Sequence, residues 1–83
     1  MRLIYFAWVR ERIGKADEDV ELPAEVRTVN DLLLWLKARG EGYETALANH
    51  KVIRVAINQE HVDHREPIAG AREIALFPPM TGG

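Results

Sequence analysis

The sequence predicts a single small α+β domain, in which one main helix packs across one face of a mixed sheet of about five strands. Three observations predict this fold: one clearly amphipathic helix, short apolar segments of strand length on both sides of it, and no linker or repeat. The chain has 83 residues, of which 47% are hydrophobic, and this is enough for one core.

Two strands are predicted before the helix. Residues 1–9 are apolar on both alternating faces, which predicts a first strand with one face on the core. The other face, which contains Phe6, is either a second internal contact or an exposed patch for a partner. The elements predicted after it are a helical turn at 9–13 ending at Gly14, an acidic loop at 17–19, and a second strand at 20–22 closed by Pro23.

The main helix is predicted at residues 29–39. Thr28 is a suitable N-cap, Asp31 completes a weak capping box, and Gly40 ends the helix. With Trp35 at its edge, the apolar stripe predicted to be buried consists of Val29, Leu32, Leu33 and Leu36.

The elements predicted after the helix are a short helix at 43–48, a strand at 52–57, a turn at 58–60, an edge strand at 61–63 and a last strand at 73–77. In the last strand, Ile74 and Leu76 are predicted to face inward and Phe77 outward. We expect the last strand beside the first, and the strand after the main helix parallel to the first. This order predicts a β-grasp, or ubiquitin-like, fold.

The charge balance excludes several partners. The net charge of −2 gives no electrostatic basis for binding nucleic acid or an anionic membrane. The longest apolar run, residues 3–9, is far shorter than the roughly 20 residues that span a bilayer. We therefore expect a cytoplasmic protein that binds neither nucleic acid nor membrane.

The residues for a catalytic or metal site are sparse. There is no cysteine, which excludes disulfides, thiolate ligands and cysteine nucleophiles. His61 and His64 lie three residues apart without a clear third ligand, so a solvated pair is expected and no metal site is predicted. Surface positions are predicted for the acidic residues at 17–19, and His50 is expected to be structural. We expect no enzyme activity from this chain alone.

The C-terminal tail, residues 78–83, is predicted to be a flexible arm on a domain formed by residues 1–77. The segment 77–83 carries no charge, contains two prolines that favour an extended course, and ends in Gly-Gly. A terminal Gly-Gly has no side chain to shield its carboxylate, so the carboxylate can enter a narrow slot. The alternative is a frayed terminus.

Three segments carry a resemblance to a known family: Tyr5-Phe6-Ala7 with Val9-Arg10-Glu11, Val55-Ala56-Ile57-Asn58-Gln59, and Ala75-Leu76-Phe77-Pro78-Pro79-Met80-Thr81-Gly82-Gly83. Along nearly its whole length the chain resembles the small, sulfur-carrying subunits of molybdopterin synthase, the MoaD family. The ending Phe-Pro-Pro-x-x-Gly-Gly is the most specific of these signals. The chain departs from the family's common residues at Leu76 and Met80.

The resemblance implies a mechanism. An E1-like, MoeB-like enzyme would use ATP to adenylate Gly83, and a sulfur donor would convert it to a thiocarboxylate. The tail residues implied to enter the large subunit, MoaE, are Pro78, Pro79, Met80, Thr81 and Gly82. Sulfur would then pass to cyclic pyranopterin monophosphate within a heterotetramer, giving the dithiolene of molybdopterin. The resemblance places Phe6 and Phe77 in the partner interface and implies no permanently bound cofactor.

Three other functions remain open. The first is a sulfur carrier for another pathway such as thiamine thiazole synthesis, although that family tends to be shorter and to lack Phe-Pro-Pro. The second is a ubiquitin-like modifier whose Gly83 forms an isopeptide bond with a lysine. The third is a binding module with an inert tail.

Overall fold

The computed structural model describes residues 1–79, which form three α-helices, one 3-10 turn and five strands. In chain order the elements are β1 (Arg2–Tyr5), α1 (Ala7–Ile13), β2 (Asp17–Asp19), α2 (Val29–Lys37), α3 (Glu41–Ala46), a 3-10 turn (His50–Val52), β3 (Arg54–Ile57), β4 (Glu60–Val62) and β5 (Glu73–Phe77). The strand order in the sheet is β2-β1-β5-β3-β4. The predicted mixed sheet and β-grasp fold are confirmed.

The first and last strands are neighbours, as predicted. β1 and β5 pair in parallel, whereas β1–β2, β3–β5 and β3–β4 are antiparallel pairs. The prediction that the strand after the main helix runs parallel to the first is wrong, because β3 is antiparallel to β5 and hence to β1. The crossover rule applies to neighbouring parallel strands, and the parallel neighbour of β1 is β5.

The main helix forms as its sequence indicates. The Asp31 amide donates to Thr28 Oγ1 at 3.2 Å, and the Thr28 amide donates to Asp31 Oδ2 at 3.2 Å, so the capping box is complete. The predicted stripe is fully buried, and Trp35 packs at its margin. α2 ends at Lys37, before the predicted end, and Gly40 instead precedes α3 as its N-cap.

The first strand is shorter than predicted. Its last ladder bond runs from the Phe6 amide to the Leu76 carbonyl at 3.1 Å, and Ala7, with φ of 51°, turns the chain into α1. Trp8 and Val9 therefore pack on the core from a helix rather than from the sheet. A run of apolar residues is compatible with either a strand or a buried helix, so its composition does not place the boundary.

The second strand is also shifted from its predicted position. β2 is formed by the acidic residues 17–19, with Arg2 paired to Asp19 and Leu3 to Glu18. Val20, predicted to lie in the strand, follows it and is buried against the core. Arg2 contacts Asp17 at 3.4 Å, so charge pairing with β1 supports strand residues that are otherwise poor strand formers.

The hairpin between β3 and β4 adds β4 as an edge strand of the sheet. Asn58 and Gln59 both have positive φ, 49° and 71°, which is the backbone of a two-residue type I′ turn. The turn fixes the register, so His61 lies opposite Ala56. None of the helices in residues 1–79 has the length and apolar character needed to cross a membrane.

Candidate functional site

The tail begins at the centre of the sheet. β5 is paired on both sides, with Leu76 opposite Tyr5 on β1 and opposite Val55 on β3. The strand ends at Phe77, and Pro78 and Pro79 follow outside it. The base of the tail is therefore held by two neighbouring strands up to its last strand residue.

Residues 80–83, with the predicted reactive Gly83 and the tail residues Met80, Thr81 and Gly82, lie outside the described residues. Their roles stay predictions, as do the roles of Pro78 and Pro79 and the flexibility of the arm.

An aromatic row lies on the sheet face opposite the core, and consists of Phe6, Phe77 and His61. The ring centroids of Phe6 and Phe77 are 6.4 Å apart, and those of His61 and Phe77 are 5.2 Å apart, both in edge-to-face geometry. Phe6 is 47% exposed, which is unusual for so large an apolar side chain. The structure thus brings together Phe6 and Phe77, the two predicted interface residues.

The sequence interpretation missed His61, which it assigned to a solvated pair with His64. The signal that would have found it is the Asn58-Gln59 turn, because a two-residue hairpin sets which residue faces Ala56. His64 has a separate role. Its Nε2 donates to the Ile53 carbonyl at 2.7 Å, which ties the loop after β4 to the start of β3.

A groove of about 700 Å³ lies beside the aromatic row and the tail. We call it the cationic groove because Lys51 and Arg54 line it; His61, His64 and Asp63 are further polar residues of the lining. Pro79 also lines it, so the tail leaves the domain along its wall. Within residues 1–79, no group of three or more His, Cys, Asp or Glu side chains is placed to hold a metal ion.

The prediction that the acidic residues 17–19 lie on solvated surface is wrong for Glu18, whereas Asp17 and Asp19 are exposed. The hydroxyls of Tyr5 and Tyr43 both donate to its Oε2 at 2.7 Å. Arg39 and Lys15 contact Oε1 at 3.2 and 3.4 Å, and the Glu18 side chain is only 11% exposed.

These contacts determine the charge of the Glu18 cluster. Burial acts to raise the pKa of Glu18, but the hydrogen bonds from Tyr43, Tyr5 and Arg39 outweigh it and lower the pKa to about 2. Burial and the Glu18 carboxylate raise the pKa of Tyr5 far above its usual range. The cluster joins β1, β2 and α3 at the β2 edge of the sheet and is a structural element.

The described residues define a β-grasp domain whose tail leaves from a central strand, beside exposed aromatic side chains and a cationic groove. Comparison with known proteins identifies its family. The chain belongs to the ThiS family, whose model matches residues 3–83.

Its relatives include sulfur carriers. The chain is 34% identical to the molybdopterin synthase sulfur carrier subunit of Escherichia coli (strain K12), over 100% of this chain and 99% of that protein. The predicted family is thereby confirmed, and this relative and that of Haemophilus influenzae, 32% identical, are each covered over 99% of their length.

Solved structures agree with the fold. SAMP1 from Haloferax volcanii matches with a TM-score of 0.72 and 30% identity, over 100% of this chain and 98% of that one. A putative molybdopterin converting factor, subunit 1, from Pyrococcus furiosus matches with a TM-score of 0.74 and 26% identity, over 95% of each chain.

Proposed function

We propose that this chain is the sulfur-carrier subunit of a molybdopterin synthase, with the C-terminal Gly83 as the group that carries sulfur. The observation that supports this most directly is the position of the Phe-Pro-Pro-x-x-Gly-Gly ending. It begins at the last residue of the central strand β5, and the family match extends through Gly83. The names of the curated relatives support the same assignment.

The chemistry follows from the carboxylate. A carboxylate is a poor electrophile, but its attack on the α-phosphate of ATP releases pyrophosphate and forms an acyl-adenylate. A hydrosulfide equivalent then displaces AMP and leaves a thiocarboxylate, which is a soft nucleophile. An E1-like, MoeB-like enzyme supplies the adenylation site, and this chain supplies the acyl group without any cysteine.

The proposed roles of the other residues follow from the tail's position. Phe6 and Phe77 form the apolar contact with the large subunit, MoaE, while Pro78, Pro79, Met80, Thr81 and Gly82 carry the thiocarboxylate into its active site. The sulfur there becomes part of the dithiolene of molybdopterin. The catalytic side chains belong to the partner, and the small chain acts as a non-catalytic donor.

The test is the intact mass of the chain after incubation with the adenylating enzyme, ATP and a sulfur source. We expect a gain of about 16 Da, because sulfur replaces one oxygen in this covalent modification. A reaction without ATP and a chain lacking Gly83 are the controls. An unchanged mass, under conditions in which the Escherichia coli carrier reacts, would reject the sulfur-carrier function.

A second function is favoured by one observation, the likeness to a small archaeal modifier protein of Haloferax volcanii, with a TM-score of 0.71 and 29% identity. In that function Gly83, activated in the same way, forms an isopeptide bond with a lysine of another protein. A Gly-Gly remnant on lysines after proteolysis of cell extract, dependent on Gly83, would identify it.

A further inference from the structure

We propose that the cationic groove is the second half of the docking surface and that it receives carboxylate side chains of the large subunit. This inference rests on the proposed function, since the large subunit is the partner that accepts the tail. Apolar contact at Phe6 and Phe77 would then be combined with charge pairing at Lys51 and Arg54.

The first argument is continuity between the groove and the aromatic row. Arg54 lies directly opposite Phe77 in the β3–β5 register, and its side chain is exposed. His61 contacts the Phe77 ring and also lines the groove. A protein that packs on Phe77 and receives the chain after Pro79 therefore covers Arg54 and His61 as well.

The second argument is the unbalanced charge of the groove. In the part of the chain that the structure describes, Arg2, Lys15, Arg39 and Arg65 form ion pairs with carboxylates. Within the same residues, 1–79, no carboxylate oxygen lies within 4.0 Å of the charged nitrogens of Lys51 or Arg54.

A third observation agrees with a positive potential in this region. The pKa of His50, the residue next to Lys51, is lowered first by burial and then by the positive charge of Lys37, with a further contribution from Lys51. The region around the groove is thus cationic in a chain whose net charge is −2.

These observations determine the chemistry of the occupant. A buried cation without a partner is costly, so a surface that covers Arg54 must supply an anion. Because the groove continues into the aromatic row, one protein surface covers both, and Asp or Glu side chains are the anions that such a surface carries. Asp63, the carboxylate in the groove lining, is already 3.6 Å from Arg65.

The first experiment measures binding of the chain to the large subunit at low and high NaCl concentration. We expect Arg54→Glu and Lys51→Glu each to weaken binding about tenfold at low salt and to reduce its salt dependence. Arg72→Glu is the matched control, because Arg72 is exposed and lies just before β5, at the end remote from Phe77. It changes the net charge equally and should bind as the wild type does.

The outcomes separate this inference from the proposed function. If the wild type does not bind the large subunit, the proposed function fails. If the wild type binds and Arg54→Glu and Lys51→Glu bind equally well with the same salt dependence, only the cationic groove is rejected. Equal losses in the Arg72→Glu control would also reject it, since they would reflect net charge alone. Thermal unfolding of each variant confirms that it is folded.

The second experiment locates the contact with a carbodiimide, which joins an amine directly to a carboxylate. The chain has three lysines, Lys15, Lys37 and Lys51, so the other two serve as internal controls. We expect peptides that link Lys51 to an Asp or Glu of the large subunit. Cross-links through Lys15 in place of Lys51, or an intact complex with none at Lys51, would overturn the proposal.

Discussion

The ring of Phe6 meets the ring of Phe77 edge to face, with the ring planes at 80°. The two residues are 71 positions apart in the sequence and meet because β1 and β5 are parallel neighbours whose C-terminal ends lie side by side. Phe6 follows β1 directly, and Phe77 is the last residue of β5. The aromatic row is therefore already built where the tail begins.

The first prediction concerns this pair. Phe6→Ala and Phe77→Ala should each weaken binding to the large subunit by about 1–3 kcal/mol, because aromatic anchors carry much of the energy of an interface. Calorimetric titration of each variant with the large subunit measures the loss. The free energy of unfolding should change little for Phe6→Ala, since that ring lies outside the buried core.

Leu34→Ala is the control for the aromatic variants. Leu34 is 46% exposed, nearly as much as Phe6, but lies on α2. Its truncation should leave binding unchanged. Wild-type affinity in both phenylalanine variants would show that the interface lies elsewhere.

The second prediction concerns the length of the tail. One residue added after Gly83 displaces the reactive carbonyl by about 3.5 Å, which is enough to remove it from a tightly fitted site. We expect sulfur transfer to the pterin substrate to be abolished, as measured by product formation from the purified synthase. The extended chain should unfold as the wild type does, and its normal activity would contradict the tail mechanism.

The third prediction concerns the Glu18 cluster and pH. The pKa of Glu18 falls from its ordinary value of 4.5 to about 2 in the folded chain. A carboxyl group with a lowered folded-state pKa contributes stability that is fully present above its unfolded pKa and is lost as the pH falls through the folded one. This stabilising contribution should therefore disappear between about pH 4.5 and pH 2.

Urea unfolding of the wild type and of Glu18→Gln at several pH values checks this. The variant should be less stable at pH 7, and the difference should shrink below pH 4.5. Glu21→Gln is the control because Glu21 is exposed and has no ion pair within the described residues. A difference that stays constant down to pH 2 would refute the role assigned to the Glu18 carboxylate.

The fourth prediction concerns the contact between α1 and α3. A Cβ at Gly42 would lie 2.8 Å from the carbonyl oxygen of Arg12 and 3.4 Å from that of Ile13. The atoms it would meet belong to the backbone of α1, which cannot move aside as a flexible side chain does. Gly42→Ala should therefore destabilise the fold by about 1–3 kcal/mol.

Chemical denaturation measures the effect of Gly42→Ala. Alanine is the better helix former by about 1 kcal/mol, so any loss of stability is attributable to the close approach. Glu41→Ala, at an exposed position of the same helix, is the matched control. A stabilised Gly42→Ala variant would show that the two helices can separate without cost.

Local signals predicted the main helix well. Its cap, its buried stripe and the position of Trp35 depend on residues within one or two turns of each other, so the sequence contains all the information needed. The limits of β1 and β2 were missed because they depend on packing. The chain leaves the sheet after Tyr5, where α1 buries Val9, and the acidic β2 is supported by partners on β1.

The candidate site was predicted only in part, because some of its contacts are local in the sequence and others depend on packing. The Gly-Gly ending is visible in the sequence, and the resemblance points to Phe6 and Phe77. Arg54 and His61 become neighbours of Phe77 only through strand register. Glu18 was missed because three of its four partners lie 13, 21 and 25 positions away, on β1, beyond α2 and on α3. Pairings of that range are set by the fold as a whole.

The parallel pairing of β1 and β5 also has a mechanical consequence. One strand follows the N-terminus and the other precedes the tail, so a pull on Gly83 against the N-terminus slides the two strands along each other. Their hydrogen bonds are then loaded together rather than broken one after another. Resistance to such a force depends on the rate constant of unfolding and not on the equilibrium free energy of unfolding. A machine that pulls this chain from its C-terminus therefore loads the β1–β5 pair in shear at the first strand it reaches.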